Sequence, residues 1–285
     1  MSAPADLNRI LEELASGKIT AAQAATLIEE LKSPGGQPRV DVEALYDSPP
    51  TRALPDEPGA EPTEAEALVG ILALEAQRAQ ALVVGEDLGT VEPWVRDYLA
   101  RRGILGTSVL WFEAGLQGEP LDAQWWREYC MASVTTHDLP PTLGYLDGEH
   151  VRIRDDLGLL TEPLDDELRV AAQERAAWLG KLVDIGVLAP DKVDDSTEVM
   201  LALHRYLLLT PSKVLLANLT DAVGERRAQN MPGTVDEYPN WRVPLHDAEG
   251  RRIELEDVFS ARLPQRLAAV MNGLPEQPAS RWERR

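Results

Sequence analysis

The sequence predicts an α/β fold in which helices alternate with parallel strands, and three observations carry that expectation. From Thr63 onward, amphipathic helical patterns alternate with short apolar runs. The runs "ALVV" (81–84), "SVLWF" (108–112), "MASV" (131–134) and "VLLANL" (214–219) are apolar on both alternations, as strands covered on two faces require. The first run leads straight into Gly85, Glu86 and Asp87, and the third leads into His137 and Asp138. In barrels of parallel strands, reactive side chains project from the C-terminal strand ends. Four such strand–helix units amount to half of an eight-stranded barrel.

In chain order, residues 1–32 read as a helical hairpin. Leu7, Ile10, Leu11 and Leu14 follow the helical period, and Gly17 suits the left-handed position after a helix end. Thr20 and Gln23 form a capping box before a second stripe of Ala24, Leu27, Ile28 and Leu31. The hairpin resembles the short helical SHOCT-like modules at the ends of bacterial proteins; its bland alternative is a solvated appendage. Residues 33–62 read as a disordered linker, because prolines 34, 38, 49, 50, 55, 58 and 62 with scattered acids leave little room for regular structure. Residues 63–275 form the strand–helix region and residues 276–285 a tail.

That region opens on a capping box from Thr63 to Glu66, and Leu68, Ile71 and Leu72 share one helix face. A strand at Ala81–Val84, the helix "EPWVRDYLARRG", the strand "TSVLWFE" and the run "YCMASVTTHD" follow. Two amphipathic helices, about Asp166–Leu188 and Ser196–Leu209, precede the last run, "SKVLLANLTDAVG".

Composition removes several classes of function. With 48 acidic and 28 basic residues the chain carries −20 at neutral pH. It would repel nucleic acid and anionic membranes, both of which are bound through Lys and Arg. No apolar run of about 18 residues is present, and "MSAPADLNRI" lacks a basic stretch followed by an apolar one. The single cysteine, Cys130, excludes internal disulfides and cysteine-based metal sites. His137, His150, His204 and His246 show no paired ligand spacing. These points predict a cytoplasmic protein with no metal and no cofactor.

Glu86 is either a catalytic carboxylate or a polar residue closing a loop. With Asp138 at a second strand end it forms the pair that glycoside chemistry needs: an acid to protonate the leaving oxygen and a carboxylate to stabilise the oxocarbenium-like centre. Trp125, Trp126 and Trp241 could offer flat faces to sugars, or could pack the core.

The stretches "LVGILALEAQRAQALVVGEDLGTVEPWVRDYL", "TTHDLPPTLGY" and "RRAQNMPGTVDEYPNWRVPL" closely resemble the 4-α-glucanotransferases, the amylomaltases or disproportionating enzymes of glycoside hydrolase family 77. The resemblance covers about Glu64 to Gly273. It implies the C-terminal half of a (β/α)8 barrel of the TIM type, and transfer of α-1,4-glucan segments between maltodextrins with retention. Carried over residue by residue, Glu86 of "GEDLG" matches the general acid/base. Asp138 of "THD" matches the carboxylate that stabilises the transition state by holding sugar hydroxyls, and His137 matches the adjacent substrate-binding histidine. Asn230, Pro232, Gly233, Asn240 and Trp241 match a family loop near the cleft, with Asn230 and Trp241 as candidate substrate contacts.

One departure stands out. Retention needs a third carboxylate as nucleophile, which the family carries in an Arg-x-Asp-His motif, and no such motif occurs in these 285 residues. The nearest text, "PRVDVEAL" with Arg39 and Asp41, has Val42 in place of the histidine and no buried strand before it. "VRIRDDLG", with Arg154 and Asp155, falls after Asp138 and so in the wrong order. The expectation is a truncated glucanotransferase, inactive alone, or a non-catalytic glucan-binding or interaction protein from a truncated or fused gene. The expected partners are a maltodextrin or other α-glucan, and a second copy or a complementing half-barrel to cover the open sheet edges.

Overall fold

The computed structural model describes residues 64–89 and 91–274. The hairpin, the linker with Asp41, the cap at Thr63 and the tail lie outside the described residues. The chain divides into two compact units. One contains the described residues up to Thr107 together with Trp125–Cys130, and the other contains Ser108–Gln124 and the residues from Met131 onward.

In the first unit, helix α1 (Glu64–Ala79) leads through Gln80, at a left-handed φ of 50°, into strand β1 (Val83–Val84). Helix α2 (Pro93–Ala100) starts on a proline, which suits the first turn because its missing N–H has no partner there anyway. Gly103 then adopts φ 69° and turns the chain into β2 (Ile104–Val109). β1 and β2 pair in parallel, Val83 opposite Ile104 and Val84 opposite Leu105.

In the second unit, β3 (Cys130–Ser133) pairs in parallel with β4 (Val214–Leu216). Between β3 and β4 lie α3 (Thr142–Leu146), α4 (Glu149–Asp156), α5 (Leu164–Asp184) and α6 (Ser196–Leu207); α7 (Leu219–Val223), α8 (Leu255–Val258) and α9 (Arg262–Met271) follow. This is the alternating α/β half-barrel that the apolar runs predicted.

The core of the second unit is built around α6. Asp195 caps it, its side chain accepting from the Thr197 and Glu198 N–H groups at 3.1 and 3.2 Å. Residues 199–204 are all buried, so α6 is covered on every side rather than on one stripe. Met200 and Leu201 pack with Leu143 of α3 and with Leu267 and Val270 of α9. One polar cluster is sealed within. The Thr142 N–H and hydroxyl donate to Asp221 at 2.6 and 2.7 Å, and His204 Nε2 lies 3.6 Å from the same carboxylate. Burial pushes the Asp221 carboxyl up and the His204 imidazole down, each away from its charged form.

Two strands, β1 and β4, are shorter than their apolar runs, and β2 is displaced from its own, for local reasons. β1 spans two residues and is only half-buried, and Leu82 before it is exposed. β2 starts three residues ahead of the predicted strand, launched by Gly103, and ends where Leu110–Phe112 tighten into a 3₁₀ turn. β4 stops at Leu216; Asn218 reaches across to the Thr135 carbonyl at 2.8 Å, and Leu219 begins α7. Exposure adds two points: Leu68, Ile71 and Leu72 of α1 are solvent-facing, and Trp126 is wholly buried, which is the core-packing alternative for that residue.

Candidate functional site

The first unit places two neighbouring carboxylates just past β1. Glu86 is exposed and Asp87 is buried. Successive side chains of an extended segment point to opposite sides, so one of the pair faces outward and the other enters the protein. Asp87 accepts from the Thr107 N–H at 2.8 Å and from both terminal nitrogens of Arg127, with Arg96 3.5 Å away. Burial pushes its carboxyl up, but the hydrogen bonds from Arg127 and Thr107 and the charges of both arginines outweigh that and hold it below the usual range. Gly106 makes room for this pairing: a Cβ there would come within 2.6 Å of an Arg127 nitrogen and 2.8 Å of Asp87. The Gly85 backbone that carries Glu86 is tied on both sides, its N–H to the Leu105 carbonyl at 2.7 Å and its carbonyl to the Thr107 hydroxyl at 3.2 Å.

The second unit assembles the other candidates. His137 and Asp138 occupy a turn that follows β3, with His137 Nε2 3.4 Å from Asp138 Oδ2. Asn230 Nδ2 donates to Asp138 Oδ1 at 2.6 Å. The His137 and Trp241 rings lie 5.3 Å apart, tilted by 42°. Asp138, His137, Asn230 and Trp241, singled out from the sequence, are thus brought together here.

The 225–246 loop that carries Asn230 and Trp241 is held from within. Asn240 accepts from the Met231 N–H at 2.7 Å and donates to the Thr234 hydroxyl at 2.8 Å, while the Tyr238 hydroxyl donates to the Ala228 carbonyl at 2.7 Å. Trp241 itself sits at φ 61°, a conformation uncommon for a bulky residue, with its N–H bonded to the Gln229 carbonyl at 2.8 Å and its ring 64% exposed. At the start of the loop Glu225 is buried and accepts from Arg227 Nε and Nη2 at 3.0 and 2.7 Å and from the His246 N–H at 2.9 Å. Burial raises its carboxyl, and the Arg227 bonds with the neighbouring N–H groups pull it below its ordinary value.

Sequence reasoning missed Asp87 and Arg127, which fix the strand end beside Glu86. A glycine inside an apolar strand, Gly106, signals close approach of other groups and would have pointed to them. It also missed Tyr145, His150 and Glu174, which line a cleft of about 510 Å³ beside Asp138 and Asn230. Among the described residues, no group of three or more His, Cys, Asp or Glu side chains is placed to hold a metal ion, and no helix is long and apolar enough to cross a membrane.

Parallel strands with acidic residues just beyond their C-terminal ends define the class: a barrel-type α/β protein with its polar candidates at strand ends. The sequence profile of the 4-alpha-glucanotransferases, glycoside hydrolase family 77, matches residues 42–249. The chain belongs to the 4-alpha-glucanotransferase family. The 4-alpha-glucanotransferases of Mycobacterium bovis and Mycobacterium tuberculosis are each 56% identical to it over 240 residues, which is 80% of this chain and 33% of theirs. That of Haemophilus influenzae is 29% identical over 181 residues, 61% of this chain and 26% of its own. The crystal structure of amylomaltase from Corynebacterium glutamicum superposes with a TM-score of 0.68 at 45% identity, covering 72% of this chain and 30% of that one. The chain thus spans about a third of the length of these relatives.

Proposed function

We propose that this chain carries the acid/base and substrate-holding part of a retaining α-1,4-glucan transfer apparatus. In this reading Glu86 protonates the oxygen of the departing sugar and later takes a proton from the acceptor hydroxyl. Asp138 and His137 hold hydroxyls of the sugar being transferred, Asn230 orients Asp138, and the Trp241 ring offers a flat face. The observation that carries the reading is the 2.6 Å Asn230–Asp138 bond, with the His137 and Trp241 rings beside it, in a chain that belongs to this family. An oriented carboxylate with spare acceptor capacity beside exposed rings suits a neutral polyhydroxylated ligand.

The covalent half of the reaction is the part the chain lacks. Without Arg-x-Asp-His, general acid catalysis of typically 10²–10⁴-fold has no nucleophile to work with. The chain alone is therefore expected to release no glucose from maltotriose and to make no longer maltodextrins. Robust disproportionation would overturn this. Loss of that activity in Asp41→Ala would then identify Asp41 as the nucleophile. The alternative, a glucan-binding protein that turns nothing over, is favoured by the same missing motif, and maltotriose binding without product would select it. A complementing half-barrel, or a second copy, is the partner proposed for the sheet edges, and sedimentation showing a compact monomer would remove the second copy.

A further inference from the structure

His137 and Asp138 sit on a turn that does little to hold itself. Its local bonds are long: the Asp138 N–H reaches the Thr136 hydroxyl, and the Leu139 N–H the Thr136 carbonyl, each at 3.3 Å. Firmer bonding begins at the base of the turn, where Thr135 and Pro140 are buried and the Thr135 hydroxyl donates to the Pro140 carbonyl at 2.8 Å.

Both limbs of that base are fastened to one short segment, Asn218 to Asp221, at the start of α7. On the incoming limb, the Asn218 side-chain amide donates to the Thr135 carbonyl at 2.8 Å. On the outgoing limb, Asp221 accepts from the Thr142 N–H and hydroxyl at 2.6 and 2.7 Å, and both residues are fully buried. Asn218 holds the N-cap position of α7, where an asparagine ordinarily accepts from its own helix. Here it makes no such bond. α3 has the converse need. Pro140 and Pro141 stand before it with no side-chain acceptor to cap it, and Asp221 supplies one from 79 positions away. Both side chains thus serve the turn that carries Asp138 and not the helix they belong to.

From the same helix the chain runs on to the other half of the site. α7 ends at Gly224, at φ 85°, and leads into the loop from which Asn230 donates to Asp138 at 2.6 Å. One end of α7 therefore fixes the turn carrying Asp138, and the other leads to its partner. We propose that Asn218 and Asp221 are positioning residues, which touch no sugar themselves but set the Asp138 carboxylate where Asn230 orients it for a glucan hydroxyl. The glucan part of this inference rests on the reading of Asp138 as a sugar-holding carboxylate.

The Asn230 side-chain amide reports the place of Asp138 without any ligand. In isotopically labelled full chain its magnetic resonance signal is assigned by its loss in Asn230→Ala, and Asp138→Ala shows where it moves when the partner carboxylate is gone. Asn218→Ser keeps a cap for α7 but is too short to reach Thr135. It should move the amide signal toward its Asp138→Ala position and weaken maltotriose binding by calorimetry roughly two- to tenfold. Asp221→Ala should do the same, and Asp221→Asn, which retains an acceptor for the Thr142 N–H, should restore most of both readings. If Asp221→Ala fails to fold, Asn218→Ser decides alone. An unmoved amide signal in natively folded Asn218→Ser overturns the proposal, whatever happens to stability or affinity. A moved signal in a chain that binds no maltotriose upholds the positioning role and removes the sugar reading. If Asp138→Ala itself leaves the signal in place, the bond that Asn218 and Asp221 serve is absent, and the proposal falls with it.

Discussion

Asp87 in the first unit and Asp138 in the second are both acids that follow a parallel strand, yet they are held in opposite ways. Asp87 is 2% exposed and every oxygen is committed, to Thr107, Arg127 and the nearby Arg96. Asp138 is 40% exposed and receives one strong side-chain bond, from Asn230. A carboxylate whose acceptor sites are all filled by its own protein has nothing left for a ligand. One that is oriented but under-committed has lone pairs to offer. Position at a strand end thus nominates a residue, and its hydrogen-bond saturation separates frame from site.

The largest expected effect breaks this comparison directly. Asp87→Ala leaves Arg127 and the Thr107 N–H facing a void, and loss of one partner of a buried pair costs about 3 kcal/mol. Asp138→Ala should stay within about 0.5 kcal/mol, as surface changes do. Urea unfolding of both variants measures it, and equal losses would erase the distinction. Next comes Gly106→Ala. Its Cβ would intrude on the buried Arg127–Asp87 pair, and overpacking of this sort costs about 1–3 kcal/mol. A neutral result would mean that Arg127 can withdraw toward solvent without loss.

The acid limb of stability sharpens the contrast further. Asp87 is held below its ordinary 3.8 and Glu225 below 4.5, so each contributes stability that is complete above the unfolded value. That contribution is lost as pH falls through the lowered folded value. In Asp87→Asn, stability should therefore fall less steeply below about pH 4 than in the parent, so that the gap between them narrows. A gap that stays constant down to pH 2 would show that the carboxylate charge of Asp87 stabilises nothing.

The same contrast explains what was legible in the sequence. The run "TSVLWFE" announced a strand, and β2 shares only Thr107–Val109 with it, because Leu110–Phe112 tighten into a 3₁₀ turn. "ALVV" announced one equally loudly, yet β1 has two half-buried residues, because periodicity reports what could be covered and not what covers it. Glu86 and Asp138 were visible through their motifs. The adjacent Asp87 stood in the same motif, but its role depends on Arg127, forty positions away, and on the missing side chain of Gly106. The cleft partners Tyr145 and Glu174 meet only because α3 and α5 fold back on one another, and no local pattern encodes that pairing.

The smallest stability effect is expected at Asn230, and it is the most informative about the site. Its side chain makes one described hydrogen bond, to Asp138, and water can replace that bond at a carboxylate that is already 40% exposed. Asn230→Ala should therefore unfold within about 0.5 kcal/mol of the parent. The cost should appear instead in the ligand. Freed from Asn230, Asp138 samples several rotamers and must be ordered again when a sugar binds. Ordering one side chain costs about 0.5–1.5 kcal/mol, a weakening of roughly two- to tenfold in maltotriose affinity. Asn230→Asp retains the shape and sets a like charge against Asp138, so it should bind more weakly still while folding almost as well. If Asn230→Ala lowers stability by more than about 1 kcal/mol and leaves maltotriose affinity unchanged, the Asn230–Asp138 bond belongs to the frame, as the bonds of Asp87 do, and the sugar must be held by other groups.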